Sequence, residues 1–150
     1  MNIPTQRAVK IQSDLFAFAD VGGSCGGMVK YVPDGRGSYL TLEWQNAVDN
    51  IYRYIKSDLI FVVNEVNCAK FGSFFEAIRR VSPFGRNDRM IWAGTILDPT
   101  EKLLTLIDNY KDKDVRLGIV NPEFIEEIEE IFAKAGVPWS PAPLLPIVVP

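Results

Sequence analysis

Asp20 closes an apolar run, and four glycines follow it within seven positions in FADVGGSCGG, residues 18–27. A carboxylate beside backbone that lacks side chains reads in two ways. It is a tight turn between elements, or a place where a phosphate or a metal ion approaches the chain closely. Glu65 ends a second apolar run, DLIFVVNEV over 58–66. A carboxylate in such a run needs a partner, because burying an unpaired charge is costly. Asn67 follows two residues later. Lys70, Arg79, Arg80, Arg86 and Arg89 form the one locally basic stretch, interspersed with Ser82 and Asn87. That stretch reads as a solvated helix end or as a set of phosphate contacts to a DNA backbone. Whole-chain charge does not favour nucleic acid, being −3.

Several chemistries are excluded outright. The chain has no histidine, which removes Ser-His-Asp and Cys-His catalysis and histidine metal sites. Cys25 and Cys68 stand far apart, without paired-ligand spacing, and read as reduced, inert small residues. Cys25, in the glycine loop, has no histidine to activate it as a nucleophile.

The elements that must position Asp20 and Glu65 are read from periodicity. Leu15–Asp20, Met28–Val32 and Ser38–Glu43 read as three short strands, with PDGRG (33–37) as a hairpin turn. Trp44, Val48, Ile51 and Ile55 fall at helical spacing. Residues 58–66 read as a buried central strand, and Phe71, Phe74, Phe75, Ile78 and Val81 as a helix stripe. Met90–Leu97 reads as a strand. Asp98-Pro99-Thr100-Glu101 then opens a helix with Asp98 as cap, buried through Leu103, Leu106, Ile107 and Tyr110. Val115–Val120 reads as the last strand and Asn121-Pro122-Glu123 as the start of a helix to about Ala135. The expected order is β-β-β-α-β-α-β-α-β-α. Were the first and fourth strands parallel neighbours, Asp20 and Glu65 would converge at one sheet edge.

In this order and these motifs the chain resembles the ribonuclease H-like nuclease superfamily. Within it, the likeness is to the nuclease domain of the large terminase subunit of tailed phages. FAFADVGGSCGGMVKYVPDGRGSYLTL (16–42) resembles the first motif of that family and DLIFVVNEVNCAKFGSFFEAIRR (58–80) the second. The resemblance implies a three-layer α/β domain over 1–135, an antiparallel hairpin start, then alternating β/α units in a mixed sheet. It implies divalent-metal-dependent DNA cleavage in viral DNA packaging, with two Mg²⁺ or Mn²⁺ ions held by carboxylates. Asp20 and Glu65 would be the catalytic ligands. Gly22, Gly23 and Ser24 would give room to the scissile strand, and Asn67, Lys70, Arg79, Arg80 and Arg86 would touch phosphate.

The family ends in an acidic His-Asp-Asp-like motif, whereas residues 136–150 here, GVPWSPAPLLPIVVP, contain no acid. Either a third ligand comes from elsewhere, with Glu127 and Glu129 as substitutes, or cleavage is lost and the fold serves as a structural or partner-binding module. An actin- or sugar-kinase-like phosphate-binding domain is a further alternative, since its first motif also pairs Asp with glycines. The proline-rich tail 136–150 cannot be a helix or an interior strand. Its apolar residues are expected to pack on the domain or on a protein partner. With no apolar signal core and no membrane-length apolar run, the expected location is the cytoplasm, or the host cytoplasm if the chain is viral.

Overall fold

A computed structural model describes residues 1–29, 38–85, 87–113, 115 and 118–149. Among these residues the fold is mixed α/β, with six α-helices and a small three-stranded antiparallel sheet. Helices α1 (Thr5–Val21), α2 (Ser38–Lys56), α3 (Phe74–Arg80), α4 (Met90–Gly94), α5 (Glu101–Asp108) and α6 (Pro122–Lys134) are interspersed with strands β1 (Gly23–Ser24), β2 (Ile60–Asn64) and β3 (Ile96–Pro99), with α3 and α4, and α5 and α6, following one another directly. The sheet order is β1-β3-β2. No helix among the described residues is long and apolar enough to cross a membrane.

The chain divides into two compact units. The first holds residues 1–22, 53–61 and 98–142. Its helix α1 buries Ala8, Ile11, Leu15 and Phe18, spaced alternately by three and four residues, which places them on one helical face. Leu15–Asp20 is therefore helical and not the expected first strand. The apolar run there is the end of a 3.6-residue pattern that starts at Ala8. Helix α6 buries Phe124, Ile125, Ile128 and Phe132 in the same unit, and the Phe124 ring lies 5.1 Å from those of both Phe16 and Tyr110. Asn121 caps α6, its side chain accepting from the Phe124 N–H at 3.0 Å. Gln12 fixes the approach to that helix, donating to the Ile119 carbonyl at 2.8 Å and accepting from the Asn121 N–H at 2.9 Å.

The second unit holds residues 23–52, 62–97 and 143–150. Trp44, Ala47, Val48 and Ile51 of α2 and Phe74, Ala77 and Ile78 of α3 make its buried core. The Trp44 indole donates to the Ile78 carbonyl at 2.8 Å, tying α2 to α3. Trp92 of α4 does the same to Val81 at 2.6 Å. Buried indole N–H groups need such acceptors, and here both acceptors are backbone. In β1, Gly23 and Ser24 pair antiparallel with Leu97 and Ile96 of β3.

Ser38–Glu43 belongs to α2, because extending a formed helix adds a hydrogen bond per residue and SYLTLE contains no breaker. Residues 58–66 do contain β2, but its side chains are mostly exposed rather than buried. Met90–Leu97 is a one-turn helix plus the start of β3, with Ile91 and Trp92 buried side by side. The cap of α5 is Thr100, two residues beyond Asp98, its hydroxyl accepting from the Leu103 N–H at 3.2 Å. Of the expected second strand, Met28 ends a 3-10 helix that begins at Cys25, and residues 30–32 lie outside the described residues, as does the 33–37 turn. Of the expected strand 115–120, residues 116 and 117 lie outside them, and the described remainder is not strand, with Gly118 at φ +82°.

Candidate functional site

The residues expected to form a metal site belong to different settings. Asp20 is exposed in the last turn of α1, in the first unit. Glu65 is exposed just beyond β2, in the second unit. Among the described residues, no three His, Cys, Asp or Glu side chains come together as a metal-ion ligand set. The proposed substitutes are engaged elsewhere. Glu127 accepts from the Tyr110 hydroxyl at 2.5 Å, and Glu129 accepts from the backbone N–H of Asn2 at 2.6 Å and of Ile3 at 2.9 Å.

The glycine stretch has local structural uses. Gly22 caps α1 with φ +67°, a conformation that favours glycine, and its N–H bonds the Phe18 carbonyl. Gly23 and Ser24 form β1. At Gly26 a Cβ would stand 3.2 Å from the Trp92 carbonyl oxygen, so the absent side chain lets the 3-10 helix approach α4. Cys25 and Cys68 are buried free thiols. Burial pushes both up in pKa, and the Glu65 carboxylate raises Cys68 further, which makes them poor nucleophiles.

The basic stretch is largely spent on internal pairing. Lys70 bonds Asp88 at 2.5 Å. Arg79 and Arg80 both bond Glu76, at 3.0 and 2.8 Å, and hold its carboxyl below the usual carboxylate range. Asn67 is exposed in a left-handed conformation at φ +59°. Arg86 lies outside the described residues.

The strongest constellation in the second unit is one the sequence reading did not assemble. Residues 143–149, PLLPIVV, run as an extended strap along α2 and α3. Asp49, which is buried, accepts through Oδ1 from the N–H groups of Leu144 at 3.2 Å and Leu145 at 3.1 Å. Gln45, one turn earlier, donates to the Leu145 carbonyl at 3.0 Å and accepts from the Ile147 N–H at 2.9 Å. The same amide donates to Asp49 Oδ1 at 3.2 Å, which orients the carboxylate. From α3, the Arg79 guanidinium donates to the Pro146 carbonyl at 2.8 Å, and the Arg79 carbonyl accepts from the Val148 N–H at 2.7 Å. Each of these contacts reaches the strap's backbone and none its side chains. The sequence signal was a polar pair, Gln45 and Asp49, at i and i+4 beside the Trp44–Val48–Ile51 stripe, on one edge of an otherwise apolar face. Residues 144–148 of the tail, expected to pack on the domain or on a protein partner, here meet α2 and α3 through these backbone contacts. No family model, curated protein or solved structure matches this chain.

Proposed function

We propose that this chain is a non-catalytic protein-binding module, and that α2 and α3 seat an extended, uncharged, proline-containing segment of a partner protein. The observation that supports this reading is the backbone clamp made by Gln45, Asp49 and Arg79. Main-chain hydrogen bonds give affinity for an extended segment of suitable shape, as they do where peptides are recognised as strands or polyproline helices. Prolines lower the entropy lost when such a segment is ordered. The strap carries no charge, so its backbone enters the seat with no ionised side chain to desolvate. The reading does not require a ribonuclease H-like arrangement, two of whose expected strands, 15–20 and 38–43, are helical.

The test is binding of a capped, fluorescein-labelled Pro-Leu-Leu-Pro-Ile-Val-Val peptide to the full chain. Binding is expected, with loss on Asp49→Ala combined with Gln45→Ala, and with loss when the peptide's Leu145- and Ile147-equivalent nitrogens are methylated. A methylated peptide that binds as well as the parent would sink the backbone clamp. Metal-dependent DNA cleavage is tested separately, by plasmid nicking in Mn²⁺. No nicking is expected. Nicking that disappears in Asp20→Asn and Glu65→Gln would replace the binding reading with the nuclease one.

A further inference from the structure

Resting on that reading of the seat, we infer that the strap 143–149 is a detachable internal ligand that keeps the seat closed until a partner segment displaces it. Its mode of attachment carries the inference. The strap is held by hydrogen bonds to its backbone, groups that water satisfies equally well once they are released. Its apolar grip is slight: Leu144, Leu145 and Ile147 are only half-buried, while Val148 and Val149 are 38% and 59% exposed. A segment with few buried apolar contacts opens at low cost, by local unfolding rather than global.

The chain enters the strap through Pro141-Ala142-Pro143, all three exposed, at the point where the first unit ends and the second resumes. Release therefore withdraws no core residue. A detached strap stays extended because of its prolines, so it re-seats readily and competes with any segment arriving from outside. Because the seat binds only when empty, affinity for an external segment falls by the fraction of chains whose strap is off.

Two strap substitutions open the seat without altering it. Leu145→Pro removes the N–H given to Asp49, and Ile147→Pro the N–H given to Gln45; both leave Gln45, Asp49 and Arg79 in place. Full-length chains carrying either change are expected to bind the labelled Pro-Leu-Leu-Pro-Ile-Val-Val peptide at least about tenfold more tightly than the unaltered chain. Equal, measurable affinity in altered and unaltered chains would overturn strap control and leave the seat standing. Absence of binding in all of them would overturn the seat itself. A second measurement uses the unaltered chain with ¹⁵N labelling. Excess unlabelled peptide is expected to move the amide signals of Leu144, Leu145, Ile147 and Val148 to free-peptide positions. Peptide that binds while those signals stay fixed rejects displacement, and this result decides alone if the proline variants fail to fold.

Discussion

Both ends of the chain are pinned in the same manner, each in its own unit. Near the N-terminus, one oxygen of Glu129 collects the successive N–H groups of Asn2 and Ile3. Near the C-terminus, one oxygen of Asp49 collects those of Leu144 and Leu145. What surrounds the two clamps differs. Ile3 is 1% exposed and anchors its segment in the core of the first unit. No strap residue is buried to that degree, and its tip is open. A carboxylate clamp over a buried side chain completes a structural attachment. The same clamp over half-exposed side chains is most of the attachment, and such a segment is releasable.

The largest effect should come from breaking the anchor at the first end. Ile3→Ala empties a core position and is expected to cost about 3–4 kcal/mol of unfolding free energy by urea titration. Exchange of the strap amides should be unaffected well below the denaturation midpoint. Next comes the pH response of the first unit. Asp14 of α1 is buried, pushed up to about 6 by loss of solvent, against the pull of Lys10 and of the Tyr54 hydroxyl at 2.9 Å. The folded state therefore holds a proton that the unfolded chain, at 3.8, has lost. This contribution is full below about pH 3.8 and disappears as pH rises through about 6, a fall on the order of 3 kcal/mol. Asp14→Asn should flatten that part of the stability–pH profile. A profile that rises with pH over the same window would show that Asp14 is not protonated on folding.

How much of this was legible depended on how local the determining pattern is. Helices α3, α5 and α6 lie within a few residues of their expected positions, because their apolar stripes, and for α6 the Asn121 cap, fall in one short window; the α5 cap is Thr100 rather than the expected Asp98. The strands at 15–20 and 38–43 were misread because each was judged on six residues. The helical phase that settles them lies outside that window, at Ala8–Ile11 for the first and Trp44–Ile51 for the second. The tail's prolines did announce an extended, non-helical segment. Its docking partners did not show, since Gln45 and Asp49 lie 95–102 positions from the strap residues they hold, and Arg79 lies 67 from Pro146, so only tertiary packing brings them together. The carboxylates that looked chemical, Asp20 and Glu65, stand in different units, and Asp49, which the reading passed over, does the holding.

Asp49→Ala removes the acceptor of two backbone N–H groups and is expected to cost the strap about 2 kcal/mol of local stability. By hydrogen exchange, the amides of Leu144, Leu145 and Ile147 should open roughly 30-fold more often, while the amides of α6 keep their protection. Uniform acceleration across the chain would mean that the strap is part of the global fold, which would remove the distinction between the two ends.

Glu129→Gln is the smallest perturbation and the most discriminating. The glutamine oxygen still accepts from Asn2 and Ile3, so only the added strength of a charged acceptor is lost, about 0.5–1 kcal/mol. The matching change, Asp49→Asn, subtracts a similar amount in the second unit. If Ile3 carries the first attachment, exchange at Asn2 and Ile3 should hardly change in Glu129→Gln. Equal chemistry should then loosen the strap, where nothing buried replaces the lost charge. Equal loosening at both ends would show that the carboxylates, and not the burial beneath them, decide which terminus stays down.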